Sequence, residues 1–232
     1  MKRICTLLAR GGSEGVINKN IRELAGKPLI AHTILQAQKT GLFDRIAVSS
    51  DSDEILKAAG RWGVQDLVKR PSELATSTAP KLPAIHHCVL EVEKSAGLIF
   101  DVICDLDPTA PFRDLSDISE CLRILEKEGV SNVLTAAPAR KSPYFNLLEL
   151  AENGVPKLSK ADQYSVARRQ DSPKCYDMNA SIYVWKRDAF MKEPKLFYTD
   201  TRLYVMPRER SIEIDTEFDF EMARFFSMER GI

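Results

Sequence analysis

Apolar positions in the first two-thirds of the chain switch back and forth between two periods. Short apolar runs at Ile4–Ala9, Arg45–Ser49, Asp101–Leu106 and Asn132–Ala137 read as strands. Between them the spacing becomes helical. Leu29, Ile30, Thr33, Ile34 and Ala37 fall on one face of a helix from Pro28 to Thr40, with Pro28 suited to a first turn and Gly41 to a stop. Further helices are predicted over Ser52–Trp62, Pro83–Lys94 and Leu115–Lys127, the last capped by Asp114 and Asp117. Strands alternating with helices imply right-handed crossovers and a doubly wound α/β fold, with a mostly parallel, Rossmann-like sheet.

The pattern breaks near Pro138. Residues from about 140 to 177 are polar and aromatic with few long apolar runs, which predicts an insert or arm on an otherwise single domain spanning 1–232. Strand character returns at Ile182–Trp185, with short strands at Leu203–Pro207 and Ile212–Ile214 and a closing helix over Glu217–Met228.

Composition narrows the function classes. Lys and Arg number 33 and Asp and Glu 33, so no basic surplus favours nucleic acid. No uncharged run approaches the ~20 residues of a membrane span, and no leader peptide is evident, so the chain reads as cytoplasmic. The five cysteines are scattered without a C-x-x-C pair, which disfavours a zinc knuckle or a disulfide framework. His86, His87 and His32 lack spaced metal-binding partners, and Trp62 and Trp185 read as packing residues.

The chemistry concentrates in the run L-L-A-R-G-G-S-E-G-V-I-N-K-N, Leu7 to Asn20. It follows the first strand. Gly11, Gly12 and Gly15 allow close backbone approach to an anion, while Arg10 and Lys19 add positive charge. A polyphosphate suits this loop, although the same residues also fit a plain strand-to-helix turn. The spacing is neither G-x-x-x-x-G-K-[ST] nor G-x-G-x-x-G. In an open α/β sheet ligands bind beyond the carboxyl ends of the strands, so this loop and Asp107–Arg113 are expected to face one crevice.

Five segments in order carry a resemblance to a known family. They are A-R-G-G-S-E-G-V-I-N-K-N (Ala9–Asn20), R-P-S-E-L-A (Arg70–Ala75), D-L-D-P-T-A-P-F-R (Asp105–Arg113), R-R-Q-D-S-P-K-C-Y-D-M-N-A-S-I-Y (Arg168–Tyr183) and I-E-I-D-T-E-F-D-F-E (Ile212–Glu221). Together they resemble the acylneuraminate cytidylyltransferases, the CMP-sialic acid synthetase family, and most of all its legionaminic acid type. The resemblance implies that CTP and a 2-keto-3-deoxy sugar acid give a CMP-sugar and pyrophosphate, with Mg²⁺ or alternatively Mn²⁺. It implies Arg10, Lys19 and Asp215 as catalytic residues. Leu8, Ala9, Arg10, Gly11, Gly12, Ser13, Lys19, Asn20 and Arg70 would hold the nucleotide. Asp107, Arg169, Tyr176 and Asn179 would meet the sugar, Arg169 being preferred to Arg168 because it heads R-Q-D; Asp107 could instead approach the metal.

Glu213 and Asp215, one residue apart, would share a strand face and suit Mg²⁺. Their other reading is an acidic edge in which Asp215 caps the following helix. The resemblance also implies a homodimer formed through the arm, with Arg140 and Lys141 reaching a partner's site. An eight-carbon 3-deoxy-manno-octulosonate cytidylyltransferase and a non-catalytic CTP-binding protein remain alternatives.

Four departures from the family pattern matter. Glu14 stands where Lys or Arg is usual, and Asp107 replaces Gln. Glu213 replaces Asp, and Asn179-Ala180-Ser181 replaces Asn-Gly-Ala. Those in the sugar region point to a nonulosonic acid other than N-acetylneuraminate, with legionaminic acid the better fit.

Overall fold

The computed structural model describes residues 1–13, 15–160 and 168–230; Glu14 lies outside them. In chain order the elements are β1 (Arg3–Leu8), β2 (Glu23–Leu24), β3 (Lys27–Pro28), α1 (Leu29–Thr40), β4 (Arg45–Ser50), α2 (Asp53–Arg61), β5 (Asp66–Lys69) and α3 (Lys81–Ala96). They continue with β6 (Val102–Leu106), α4 (Leu115–Glu128), β7 (Asn132–Pro138), β8 (Leu148–Leu150), β9 (Pro156–Leu158), β10 (Tyr176–Lys186), α5 (Arg187–Lys192), β11 (Arg202–Val205) and α6 (Glu217–Arg230).

Seven strands form one sheet in the order β11-β7-β10-β6-β1-β4-β5. β1 pairs in parallel with β4 and β6, β4 with β5, and β7 with β11. β10 runs antiparallel to both β6 and β7. The chain moves outward from β1 through β4 to β5, then returns to β6 on β1's other side. That reversal leaves a crevice beyond the carboxyl ends of β1 and β6, where α/β sheets bind ligands.

Alternation along the strands fills both faces. Cys5, Leu7, Val48 and Cys104 pack with Ile34 of α1, Ile55 of α2 and Ile118 and Leu122 of α4. Ile4, Ala47 and Ile103 point the other way, against Ile85 and Val89 of α3 and Phe190 of α5. Helices therefore cover both faces, as the doubly wound expectation requires. Asp114 and Asp117 cap α4 reciprocally, the Asp114 N–H donating to Asp117 Oδ2 at 2.8 Å. A third, smaller core joins Val16, Leu24, Leu29, Phe112, Ile214 and Phe220.

Three expectations need correction. Ile212–Ile214 is not a strand: the Ile214 N–H donates to Thr109 O at 2.9 Å, but no ladder forms, and the Ile214 side chain is held in the third core. β5 escaped the pattern because D-L-V-K offers only two apolar residues on an edge. β10 begins at Tyr176, six residues before the expected Ile182, because its polar first half pairs with β7 ahead of an irregularity between Met178 and Tyr183. Ala180, inside that irregularity, has a φ of 40°, a left-handed conformation costly for a side-chain-bearing residue. The segment 140–177 carries the β8–β9 hairpin outside the main sheet; its residues 161–167 lie outside the described residues.

Candidate active site

β1 delivers the glycine-rich loop to the crevice, β4 delivers Ser49 to Asp51, and β6 delivers Asp105 to Thr109. Between them lies a cavity of about 480 Å³. Eight residues named from sequence line it: Leu8, Arg10, Ser13, Lys19, Asn20, Arg70, Asp107 and Asp215. The structure brings them together across more than 200 positions of sequence.

The loop is held by its neighbours on both sides. The Gly11 N–H donates to Asp51 Oδ1 at 2.8 Å and the Ser13 N–H to Gly11 O at 3.0 Å, so these two amides are already engaged. Ala9 is buried, its N–H donating to Ser49 O at 3.1 Å. Ala9, Gly11 and Gly12 are not among the cavity's lining residues. Their contribution is the loop's path, and the cations do the facing. Arg10 lines the cavity without an ion-pair partner among the described residues. Arg70 is buried and fixed by Ser49, with Nε to Oγ at 3.1 Å and Nη2 to the carbonyl at 2.6 Å; burial lowers its pKa. Asn20 donates through Nδ2 to Arg10 O at 3.2 Å, while its buried Oδ1 has no hydrogen-bond partner among the described residues.

The carboxylates come from the chain's far end. Lys19 Nζ donates to Ile214 O at 2.7 Å and lies 3.2 Å from Asp215 Oδ1. Asp215 does not cap α6. Thr216 and Asp219 do so: Asp219 Oδ2 accepts from the Thr216 N–H at 2.8 Å, and the Asp219 N–H donates to Thr216 Oγ1 at 3.2 Å. The Asp215 side chain, 68% exposed, is thereby left at the cavity. Glu213 lines an adjoining cavity with Asn179, Arg140 and Arg208. Burial pushes its pKa up to about 7, with the charges of Asp215 and Asp107 adding to the effect.

The sugar candidates are less gathered. Asp107 lines the main cavity, but its carboxylate is occupied: Oδ1 accepts from the Thr109 N–H at 2.9 Å and the Thr109 hydroxyl at 2.8 Å, and Oδ2 from Lys81 Nζ at 2.9 Å. Burial acts to raise its pKa, yet Lys81 and Thr109 outweigh it and the net shift is down. Asn179 is buried, accepting from Thr135 Oγ1 at 2.7 Å and donating to Ser211 Oγ at 2.8 Å. Tyr176 lines a separate cavity by the arm. Arg168 is exposed and ion-paired with Asp171 at 2.8 Å, while the side chain of Arg169 lies outside the described residues.

Two site residues were missed. Lys81, at the start of α3, lines the cavity with its ammonium 2.7 Å from Asp105 Oδ2 and 4.9 Å from the Tyr183 ring centre. Burial lowers its pKa, but Asp105 and Asp107 more than reverse this. No spacing links Lys81 to Asp105; only the β1–β6 register brings α3 over them. Arg113 is buried, donating to Ser181 Oγ at 3.0 Å, Thr33 Oγ1 at 3.3 Å and the Asp107 carbonyl, and it pins the 105–113 turn to β10.

A mostly parallel sheet with a cationic loop after its first strand and carboxylates opposite offers a place for the phosphates of a nucleotide. The Cytidylyltransferase family model matches residues 4–227, and the chain belongs to that family. It is 41% identical over 222 residues to the CMP-N,N'-diacetyllegionaminic acid synthase of Campylobacter jejuni, spanning 96% of this chain and 93% of that one. It is 40% identical over 229 residues to the post-translational flagellin modification protein B of Campylobacter coli, spanning 99% and 96%. A solved CMP:2-keto-3-deoxy-manno-octonic acid synthetase complexed with CTP shares the fold with a TM-score of 0.72 at 14% identity, both chains covered over 100% of their length. The chain is a nucleotidyltransferase.

Proposed function

We propose that this cytidylyltransferase activates a nonulosonic acid of the legionaminic type. CTP and the sugar acid would give the CMP-sugar and pyrophosphate. The anomeric oxygen bonds to the α-phosphorus, the bond to the β-phosphate oxygen breaks with its electron pair leaving on pyrophosphate, and the hydroxyl proton passes to solvent. The observation carrying this reading is the joining of Lys19 to Asp215 within one cavity that also holds Arg10, Asn20 and Arg70. The acid sugar rests on the relative named for N,N'-diacetyllegionaminic acid.

The residues have clear tasks in this reaction. Arg10 and Lys19 neutralise the triphosphate and the charge that grows on the leaving group, the chief demand of phosphoryl transfer. Arg70 and Asn20 orient the nucleotide, whose hydroxyl or amino hydrogens would satisfy the orphaned Asn20 Oδ1. Asn179, on the cavity it shares with Glu213, shapes the sugar side, and Asp107 acts through its contacts, while Tyr176, on the separate cavity by the arm, and Arg169 are assigned to the sugar by the family resemblance alone.

A divalent ion fits the donors. Among the described residues no group of three or more metal-binding side chains is gathered, yet Mg²⁺ is commonly held by one or two carboxylates completed by phosphate oxygens. Burial first, and then the charges of Asp215 and Asp107, hold the Glu213 pKa up, and a cation beside the two carboxylates would offset the charge part. Mg²⁺, or Mn²⁺ in its place, would polarise the α-phosphate when bound.

We also propose a homodimer in the cytoplasm. Leu148, Leu150, Val155, Met178, Leu203 and Val205 are exposed on the arm and the adjoining sheet end, an apolar strip that a second copy would cover. The five cysteines are free, and among the described residues no helix is long and apolar enough to cross a membrane.

Pyrophosphate release from CTP and Mg²⁺ tests the assignment across a panel of acid sugars. Turnover of dideoxy-diamino nonulosonates above N-acetylneuraminate and the eight-carbon octulosonate is expected. N-acetylneuraminate outperforming them overturns the sugar choice, and CTP binding without pyrophosphate from any acid overturns the enzyme reading.

A further inference from the structure

Among the described residues, Lys81 is the one cavity-lining cation ion-paired with carboxylates outside the candidate metal pair. Its ammonium has three N–H donors. It donates to Asp107 Oδ2 at 2.9 Å and is ion-paired with Asp105 Oδ2 at 2.7 Å. The side chain stays 31% exposed and lines the cavity, so the third donor has room to meet a ligand. Asp105 is wholly buried and takes a further hydrogen bond from Thr6 Oγ1 at 2.8 Å, while Thr109 saturates Asp107. The trio is held on both sides, and with the buried Arg113 guanidinium, which donates to the Asp107 carbonyl, its two carboxylates are matched by two cations.

That balance decides the ligand group. A matched cluster has no spare positive charge to hold a phosphate or carboxylate, whereas a neutral oxygen, a hydroxyl or an amide carbonyl, gains a charge-assisted hydrogen bond from the ammonium. The position decides the source. The Asp107–Thr109 turn is bonded to the acidic segment through Ile214 N–H to Thr109 O at 2.9 Å. Glu213, one residue before, lines the adjoining cavity with Asn179, Arg140 and Arg208. Lys81 and Asp107 thus line the nucleotide cavity next to the segment that leads into its neighbour.

We infer that Lys81 contacts the second substrate, donating its third N–H to a neutral hydroxyl or acyl oxygen of the acid sugar, and that Asp105 and Asp107 exist to aim it. This rests on the acid-sugar reading above.

The test compares Lys81→Met with the paired Lys81→Met/Asp105→Asn. The single change strands a buried carboxylate and can cost folding. The pair removes that charge along with the ammonium, keeps the Thr6 contact, and leaves the local charge unchanged, so it isolates the lost donor. Wild type must first release pyrophosphate with an acid sugar; if it does so with none, the enzyme reading falls and this inference with it. Given turnover, the paired variant is expected to raise KM for the acid sugar about tenfold or more, with kcat changed less than KM and the CTP dissociation constant within about twofold. An unchanged KM for the acid overturns the inference. So does a loss confined to CTP affinity, which would assign the contact to the ribose or base.

Discussion

Gly15 and Asp215 meet backbone to backbone: a Cβ built on Gly15 would stand 2.0 Å from the Asp215 carbonyl oxygen. No side chain fits in that space, so the phosphate loop and the acidic segment are in contact only because residue 15 lacks one. Gly15→Ala is expected to drive them apart and weaken CTP binding by about tenfold or more, some 1.4 kcal/mol. Gly12→Ala is the matched control, since nothing lies within 4 Å of its added methyl. Titration calorimetry with CTP reads both; equal affinities for the two variants would refute the steric argument.

Asp215 is exposed and its contact with Lys19 is at the surface, where ion pairs contribute little to stability. Asp215→Ala should therefore leave the melting temperature nearly unchanged while lowering kcat by roughly a hundredfold or more, the scale of losing a preorganised electrostatic group. Thermal melts and pyrophosphate release report the two effects separately. Full activity in this variant removes Asp215 from the catalytic set.

Ala180 has a φ of 40°, in the left-handed region. Ala180→Gly is expected to gain about 1 kcal/mol, and to raise the melting temperature by roughly 2–4 °C for a chain of this size. Calorimetry that finds no rise would mean the β10 irregularity holds this conformation without cost. The substitution also restores the Asn-Gly pair usual at this position in the family, so any shift in sugar preference would link the strain to selectivity.

His32 bonds through Nε2 to Leu24 O at 2.8 Å and so holds the β2–β3 turn beside Lys19 and Asn20. Burial lowers its pKa below the ordinary 6.5. The folded state thus favours the neutral ring. This contribution is complete above pH 6.5 and is lost as pH falls through the folded value. Denaturant midpoints should decline from pH 7 toward pH 5, and His32→Gln should flatten the part due to this group. An identical pH profile in the variant would place the titration elsewhere.

What was legible in the sequence follows the range of each signal. The strands and helices before Pro138 are local, since periodicity and caps such as Asp114–Asp117 lie within a dozen residues of one another. Arg10 and Lys19 were legible because a glycine-rich loop with cations suits a polyphosphate, Arg70 and Asp215 chiefly through the family resemblance, and all four line one cavity. Lys81 and Arg113 were not, because each works through partners brought near only by sheet register, Lys81 by Asp105 and Arg113 by Ser181. The face shared by Glu213 and Asp215 was inferred from a strand that does not form. They lie instead on a loop to either side of Ile214, which is buried and bonded to Thr109, and they line adjoining cavities.

The place of β10 in the sheet has a consequence for how the protein is made. β6 and β7 are consecutive strands, yet they are separated in the sheet by β10, which is synthesised some forty residues after β7 begins. A growing chain that has released only β1 to β7 holds one incomplete sheet piece, β6-β1-β4-β5, open at β6, and a β7 without either of its partners. Val16 of the phosphate loop also waits for Ile214 and Phe220 before its own core can close. The emerging chain should therefore be unable to hold CTP until almost the whole of it has left the ribosome, and its unpaired edges should make it a client for chaperones until then.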